Sequence, residues 1–170
     1  SSVPYSSAAV SKPTFIDIED ASWMWGILIT DKDRVSTTGI CNFPSHMGSL
    51  NYGYASVGGW RRISPKLYNQ IPESDVRKGW FLDDTGVSVN LPAAAQAYIT
   101  KKGAPVYTQV KYGPMNDEWG SNNNATDVIL MRVEEMYLIK AEAQAMNNDV
   151  SGGVNTLNSF VNTYRDPSYK

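Results

Sequence analysis

Cysteine and histidine are almost missing from this chain of 170 residues, which contains one of each. A single cysteine, Cys41, excludes an internal disulfide, and we expect its side chain to be a small buried apolar group. His46 has no second histidine with which to form a metal site, and no partner motif for a catalytic triad surrounds it. We therefore expect His46 to be an ordinary loop residue, with no bound metal.

An excess of charge of one sign is also missing. The chain has 15 Lys and Arg residues against 17 Asp and Glu residues, which gives a formal net charge of −2 at pH 7. Proteins that bind nucleic acid concentrate basic side chains against the phosphates, and this sequence contains no basic stripe. The composition therefore argues against a nucleic-acid partner.

Long apolar runs and several common site motifs are absent as well. No run of 18 or more apolar residues occurs, so no segment is predicted to cross a membrane as a helix. No phosphate-binding glycine motif is present. The segment Asp31-Lys32-Asp33 resembles part of a calcium loop but lacks its glycine and distal glutamate.

The sequence does contain a strong helical pattern over residues 126–147. Apolar residues recur there at steps of three and four and share one face: Leu130, Val133, Tyr137, Ala141 and Ala145. Further apolar residues cover an adjoining arc, so the predicted helix needs neighbours on two sides. Either Thr126 or Asp127 would cap its first turn.

A second helix is predicted over residues 153–164, where Val154, Leu157, Phe160 and Val161 lie on one side. The turn residues between the two helices are few. Helices joined by so short a connection run antiparallel. The sequence therefore predicts a helical hairpin at this end of the chain.

The remaining sequence favours loops with a few short elements. Recurrent glycine, serine and asparagine predict loops over 36–59 and 115–124. The short elements are predicted as a strand within 18–30, a helix from Pro65 to about Asn69 capped by Ser64, a helix over 93–97, and a strand over 106–111. We expect residues 1–14 to form a flexible lead-in and residues 15–170 to form a single domain.

The helix pair resembles the tetratricopeptide-like units of the SusD/RagB family. The resemblance rests on residues 130–145 and continues, at the family's spacing, in Leu157-Asn158, Val161-Asn162 and Arg165. Two upstream segments fit as well. They are residues 63–81, where Asp75-x-Arg77 follows Leu67-Tyr68, and Lys111-Tyr112 before an Asn/Gly-rich loop.

The resemblance implies a mainly α fold with long irregular loops, a few short strands and a place in a tetratricopeptide-type superhelix. It also implies the C-terminal part of a longer, lipid-anchored surface protein of Bacteroidetes that captures oligosaccharide without breaking bonds. Such proteins work with a SusC-like TonB-dependent transporter in the outer membrane and need no cofactor. Some relatives handle peptides, so a peptide ligand remains an alternative.

A hydrolase remains a third possibility because the chain contains adjacent carboxylates. They are Asp83-Asp84, Asp117-Glu118 and Glu134-Glu135. Glycoside hydrolysis needs two carboxylates across a cleft, one of them with a raised pKa, and adjacent positions do not indicate that arrangement. A purely scaffolding helix pair is a further alternative.

Aromatic residues are the strongest indication of a ligand site. Five tryptophans and ten tyrosines are many for this length, and several lie in glycine-rich loops from which they could reach solvent. Flat aromatic rings stack on the C–H faces of sugars, while amide and carboxyl groups bond to sugar hydroxyls. The predicted ligand-binding residues are Tyr52, Tyr54, Trp60, Trp119 and Asn122, with Asn51 and Asn123 as further amides. Trp23, Trp25, Trp80 and Phe81 are predicted to be core residues.

Overall fold

The computed structural model describes residues 12–37 and 42–170. These residues form two strands, β1 (Trp23–Ile27) and β2 (Val128–Arg132), and six helices. The helices are α1 (Arg34–Thr37), α2 (Phe43–Met47), α3 (Pro65–Tyr68), α4 (Ala93–Lys101), α5 (Val133–Met146) and α6 (Val150–Tyr164). Short 3₁₀ turns lie at Ala55–Val57, Val76–Trp80 and Met115–Asp117. The described fold is thus mostly helical with a small two-stranded sheet, as predicted.

The main hydrophobic core joins loops rather than long elements. Its buried members come from four separated parts of the chain, namely Leu50, Leu82, Ala95, Ile99 and Val110. A further set of half-buried apolar residues covers them: Trp60, Leu91, Tyr98, Ala104 and Trp119. Burial of these side chains is the main force that holds the loop-rich part of the molecule together.

Helices α5 and α6 form the predicted antiparallel hairpin. Tyr137 stacks on Phe160 with ring centroids 4.9 Å apart. Gly153 lies so close to α5 that a Cβ atom there would be 2.6 Å from the Ala141 carbonyl oxygen. Asp149 caps α6 by accepting a hydrogen bond from the Gly152 amide. This cap starts the helix at Val150, three residues before the predicted start.

The predicted start of the first helix at Thr126 or Asp127 is wrong. Residues 128–132 form β2, which pairs antiparallel with β1, and the helix begins at Val133. The Asp127 carboxylate accepts hydrogen bonds from the amides of Ile18 and Ile29 instead of capping a helix. Two β-branched residues, Val128 and Ile129, follow it, and their pairing with Ile27 and Gly26 of β1 overrides the helical spacing.

Trp25 departs from its prediction as a core residue. Its side chain is 65% exposed, whereas Trp23 on the same strand is buried. Register irregularities on both sides of Trp25 break the alternation of the strand. This irregularity explains why a residue two positions from a buried tryptophan faces solvent.

The other predicted elements differ from the observed ones mainly in the residues at which they begin and end. The first strand is confined to Trp23–Ile27, and α4 continues beyond residue 97 to Lys101. Short helices α1 and α2 interrupt the predicted loop 36–59. Helix α3 and its Ser64 cap are confirmed. Within the described residues, 106–111 form two isolated bridges, Thr108 with Arg62 and Gln109 with Phe81, in place of the predicted strand.

Two buried arginines connect the hairpin to the rest of the fold. One Glu134 carboxylate oxygen accepts from Arg132 at 2.8 Å and from Arg165 at 2.7 Å. The Arg132 guanidinium lies 4.8 Å from the centroid of Phe15, and that of Arg165 lies 5.5 Å from Trp80. These contacts link β2, α5, α6, the N-terminal segment and the turn before residue 81.

A third cation lies in the same region. The Lys111 ammonium is 5.4, 5.3 and 4.9 Å from the ring centroids of Phe15, Trp80 and Tyr112. Burial lowers the pKa of Lys111. The negative charge of Glu134 raises this pKa in part, whereas the positive charges of Arg132 and Arg165 lower it further. Aromatic faces attract cations, so the rings partly replace the water that this ammonium loses.

Two sequence predictions concern residues that lie wholly or partly outside the described ranges. Cys41 lies outside, as do residues 1–11 of the predicted lead-in. Thr14, the last residue of that lead-in, forms a parallel bridge with Tyr112. Within residues 12–37 and 42–170, no helix combines the length and apolar character that crossing a membrane requires.

Glu134→Gln is expected to lower the free energy of unfolding by about 3 kcal/mol, since it leaves two buried guanidinium groups without their shared carboxylate. Urea unfolding measures this difference. Glu135→Gln is the matched control, because Glu135 is the exposed neighbour on the same helix and should change stability by less than about 0.5 kcal/mol. Equal midpoints for the two variants would contradict the role given to Glu134.

Candidate functional site

Tyr52 is the most exposed of the four predicted aromatic site residues. Its side chain is 46% exposed. The Tyr52 amide donates to the Ser121 carbonyl at 2.9 Å, and the Gly120 amide donates to the Leu50 carbonyl at 2.8 Å. These two bonds place the loop around Tyr52 beside the loop that carries the exposed Asn122.

Helix α4 and the residue that directly follows it supply two further groups, Tyr98 and Lys102. The Lys102 ammonium lies 5.9 Å from the Tyr52 ring centroid and 5.8 Å from that of Tyr98. The Tyr98 hydroxyl donates to the Asn51 carbonyl at 3.3 Å, and burial raises the pKa of Tyr98. We call the set formed by Tyr52, Tyr98, Lys102, Ser121 and Asn122 the Tyr52 surface.

Glycine at position 120 makes this approach possible. Gly120 has φ +84°, a conformation that residues with a Cβ atom rarely adopt. A Cβ atom there would lie 2.5 Å from Cε2 of Tyr98. The glycine thus lets the loop backbone lie against the tyrosine ring.

The two amides predicted to help Asn122 have structural roles. Asn51 is 1% exposed, and its side-chain nitrogen donates to the Asn124 side-chain oxygen at 3.3 Å. The Asn123 side-chain oxygen accepts from the Ala125 amide. Asn51 is therefore too deeply buried to meet a ligand, whereas Asn122 is exposed.

Tyr54 belongs to a different cluster from Tyr52. Its ring stacks on His46 at 4.9 Å between centroids, and the Arg61 guanidinium lies 5.9 Å from its centroid. Arg61 Nε also donates to the His46 carbonyl. Tyr54 is still 43% exposed, so its ring remains available on the outer side of this cluster.

Trp60 and Trp119, the two other predicted rings, belong to the cover of the main core. Both are half-buried and pack against the main core. Their predicted role as exposed stacking platforms is limited by that packing, and Tyr52 and Tyr54 are the more accessible rings. Sequence spacing alone could not separate the supporting rings from the exposed ones, because both kinds lie in similar glycine-rich loops.

Sequence reasoning missed a groove of about 530 Å³ between α3 and the loops that follow it. Its lining includes Tyr68, Phe81 and several acidic residues. The adjacent pair Asp83-Asp84 was the one signal in the sequence that pointed to this region. We call this feature the Tyr68 groove.

Metal binding finds no support in the described residues. No group of three histidine, cysteine, aspartate or glutamate side chains within residues 12–37 and 42–170 could hold an ion. In the partial calcium-loop segment, Asp33 instead accepts hydrogen bonds from the amide and hydroxyl of Thr30, and these bonds lower the pKa of Asp33.

Tyr52→Ala is expected to change the free energy of unfolding by less than about 0.5 kcal/mol, because nearly half of the residue is in solvent and it is not part of the main core. Trp60→Ala should lower it by at least about 2 kcal/mol, because it removes apolar contacts with the core. Thermal or urea unfolding of both variants separates the roles. A larger loss for Tyr52→Ala than for Trp60→Ala would reverse our assignment of exposed and supporting rings.

A comparison with known proteins identifies the fold of the chain. No family model and no curated protein sequence matches the chain. The crystal structure of a SusD-like carbohydrate binding protein from Bacteroides vulgatus matches 96% of it with a TM-score of 0.59 and 22% identity. The chain spans 30% of the length of that protein. The resemblance inferred from the helix pair is thereby confirmed at the level of the fold, which is SusD-like.

Proposed function

We propose that the chain is part of a non-enzymatic, cell-surface protein that binds oligosaccharides. The observation that carries this proposal is the Tyr52 surface. An exposed ring lies there near an ammonium group, and a backbone hydrogen bond joins its loop to the one that carries Ser121 and Asn122. The carbohydrate-binding description of the structurally similar protein supports the same ligand class.

The chemistry of the Tyr52 surface suits a neutral or weakly anionic sugar. The Tyr52 ring offers a flat face for the C–H groups of a pyranose. Asn122 can both donate and accept hydrogen bonds, and Lys102 can donate to hydroxyl or carboxyl oxygens. Such an arrangement binds by shape and stacking, and it requires no bond to be broken.

We further propose that the whole protein acts in nutrient uptake at the outer membrane. In this proposal it is held at the surface by a lipid anchor and delivers ligand to a SusC-like TonB-dependent transporter. Exposed apolar residues on α5, namely Leu138, Ile139 and Met146, support the placement of this hairpin within a tetratricopeptide-type superhelix. Neighbouring helices would cover that face.

A hydrolase is less well supported than a binding protein. One oxygen of Asp83 accepts hydrogen bonds from Thr85 and Val87. Partial burial raises the pKa of Asp83, but these hydrogen bonds outweigh burial and leave the pKa lowered. A general acid needs a raised pKa instead. Glu134 is occupied by its two arginines. A peptide ligand remains the second candidate, because aromatic and amide groups also bind extended peptides.

Retention on immobilised polysaccharides and a glycan array tests the proposal. We expect retention by one glycan class, and we expect Tyr52→Ala to weaken it by about tenfold, or about 1.4 kcal/mol, because a central stacking ring is lost. The bound glycan should be recovered without cleavage.

Tyr169→Ala is the matched control, since it removes another exposed tyrosine that lies outside the Tyr52 surface. It should leave retention unchanged. Equal losses in both variants, or retention by no glycan, would count against the Tyr52 surface as the binding site. Release of shortened product would favour the hydrolase, and retention of peptides alone would favour the second candidate.

A further inference from the structure

The Tyr68 groove is a second concave surface, built from residues other than those of the Tyr52 surface. It encloses about 530 Å³ and lies between α3, the turn at residues 73–79 and the loop at residues 83–90. Phe81 contributes an aromatic face, and Asn69 contributes an exposed amide. The groove is large enough for part of an oligosaccharide chain.

The charge of the groove is negative. Its lining contains four carboxylates, from Glu73, Asp75, Asp83 and Asp84, and one ammonium group from Lys78. Internal ion pairs neutralise two of the carboxylates: Lys78 pairs with Glu73, and Arg77 pairs with Asp75. No ion pair among the described residues neutralises the other two.

These two carboxylates differ in their availability. The Asp83 oxygen is held in a turn by the amides of Thr85 and Val87. The Asp84 side chain is exposed at the mouth of the groove. Asp84 can therefore approach a positively charged ligand directly, while Asp83 adds a fixed negative charge beside it.

The Tyr68 hydroxyl is an independent indication of a ligand. Tyr68 is 91% buried, its ring lies under the Lys78 ammonium at 4.9 Å, and it contacts Tyr107. No hydrogen bond joins its hydroxyl to the described part of the chain, and Tyr68 lines the groove. Burial raises the pKa of Tyr68, and the nearby charges of Asp83, Glu73 and Asp84 raise it further. Tyr68 and the two unpaired carboxylates line the same groove, and the Tyr68 hydroxyl can both donate and accept a hydrogen bond there.

From this arrangement we propose that the Tyr68 groove binds a glycan with free amino groups, the protonated amine lying between Asp84 and the Tyr68 hydroxyl. An ammonium group has three N–H donors, so it can donate one hydrogen bond to the Asp84 carboxylate and another to the Tyr68 hydroxyl oxygen. The sugar ring would then lie against Phe81. A neutral sugar would leave the negative charge uncompensated, and an anionic sugar would be repelled. This selectivity is distinct from that of the Tyr52 surface and does not depend on it.

Calorimetric titration with two matched ligands tests the proposal on the 170-residue chain. The ligands are a β-1,4-linked glucosamine hexamer with free amines and the same hexamer fully N-acetylated. We expect the free-amine form to bind more tightly and to weaken as salt is raised. Asp84→Asn and Tyr68→Phe should each weaken it by roughly three- to tenfold, since each removes one partner of the amine.

Two control variants test whether the free-amine hexamer binds in the Tyr68 groove and not elsewhere. Glu142→Gln removes an exposed carboxylate on α5, and Tyr52→Ala removes the other candidate site, so both should retain binding of the free-amine hexamer. Asp84→Asn should leave binding of the N-acetylated hexamer unchanged.

Equal affinity for the two hexamers, or an unchanged affinity in Asp84→Asn, would overturn the proposal. A trilysine peptide that binds as tightly and responds to the same variants would overturn the assignment to a sugar. Loss of free-amine binding in Tyr52→Ala alone would assign the ligand to the Tyr52 surface instead.

Discussion

One oxygen of Glu134 accepts hydrogen bonds from two buried arginines, and this shared contact determines how the helical hairpin joins the loop-rich part of the molecule. Arg132 ends the second strand, and Arg165 follows the last helix. Two buried guanidinium groups would repel each other without an anion between them. Both guanidinium groups also lie near aromatic rings, Phe15 and Trp80, whose faces attract cations. Strand, hairpin and N-terminal segment are therefore fixed relative to one another by a few specific contacts.

The loops gain their order from a different source. The main core takes one residue from each of three loops, Leu50, Leu82 and Val110, and two from α4, and half-buried tryptophans cover it. Because the loop at Leu50 is anchored in this way, the nearby exposed ring of Tyr52 is held on an ordered base. A ring that is already fixed loses little conformational freedom when it binds, which favours recognition by stacking.

Local signals in the sequence were sufficient for some features and not for others. The hairpin, the Ser64 cap and the short helix after it follow from spacing and capping within a few residues. The start of α5 could not be predicted from local signals, because residues 128–132 pair with a strand about a hundred positions earlier. Likewise, Asn51 and Asn122 carry the same side chain in similar loops, and tertiary packing alone decides that Asn51 is buried. The Tyr68 groove depends on three segments that meet in space, so its acidic pair had no visible partner in the sequence.

Hydrogen–deuterium exchange with and without a retained oligosaccharide tests most directly whether glycan binds at the Tyr52 surface. We expect slower exchange in residues 50–54 and 119–123 when the ligand is present, because a stacked sugar would restrict both loops. Unchanged exchange in these two loops, with protection confined to the α5–α6 hairpin, would contradict it.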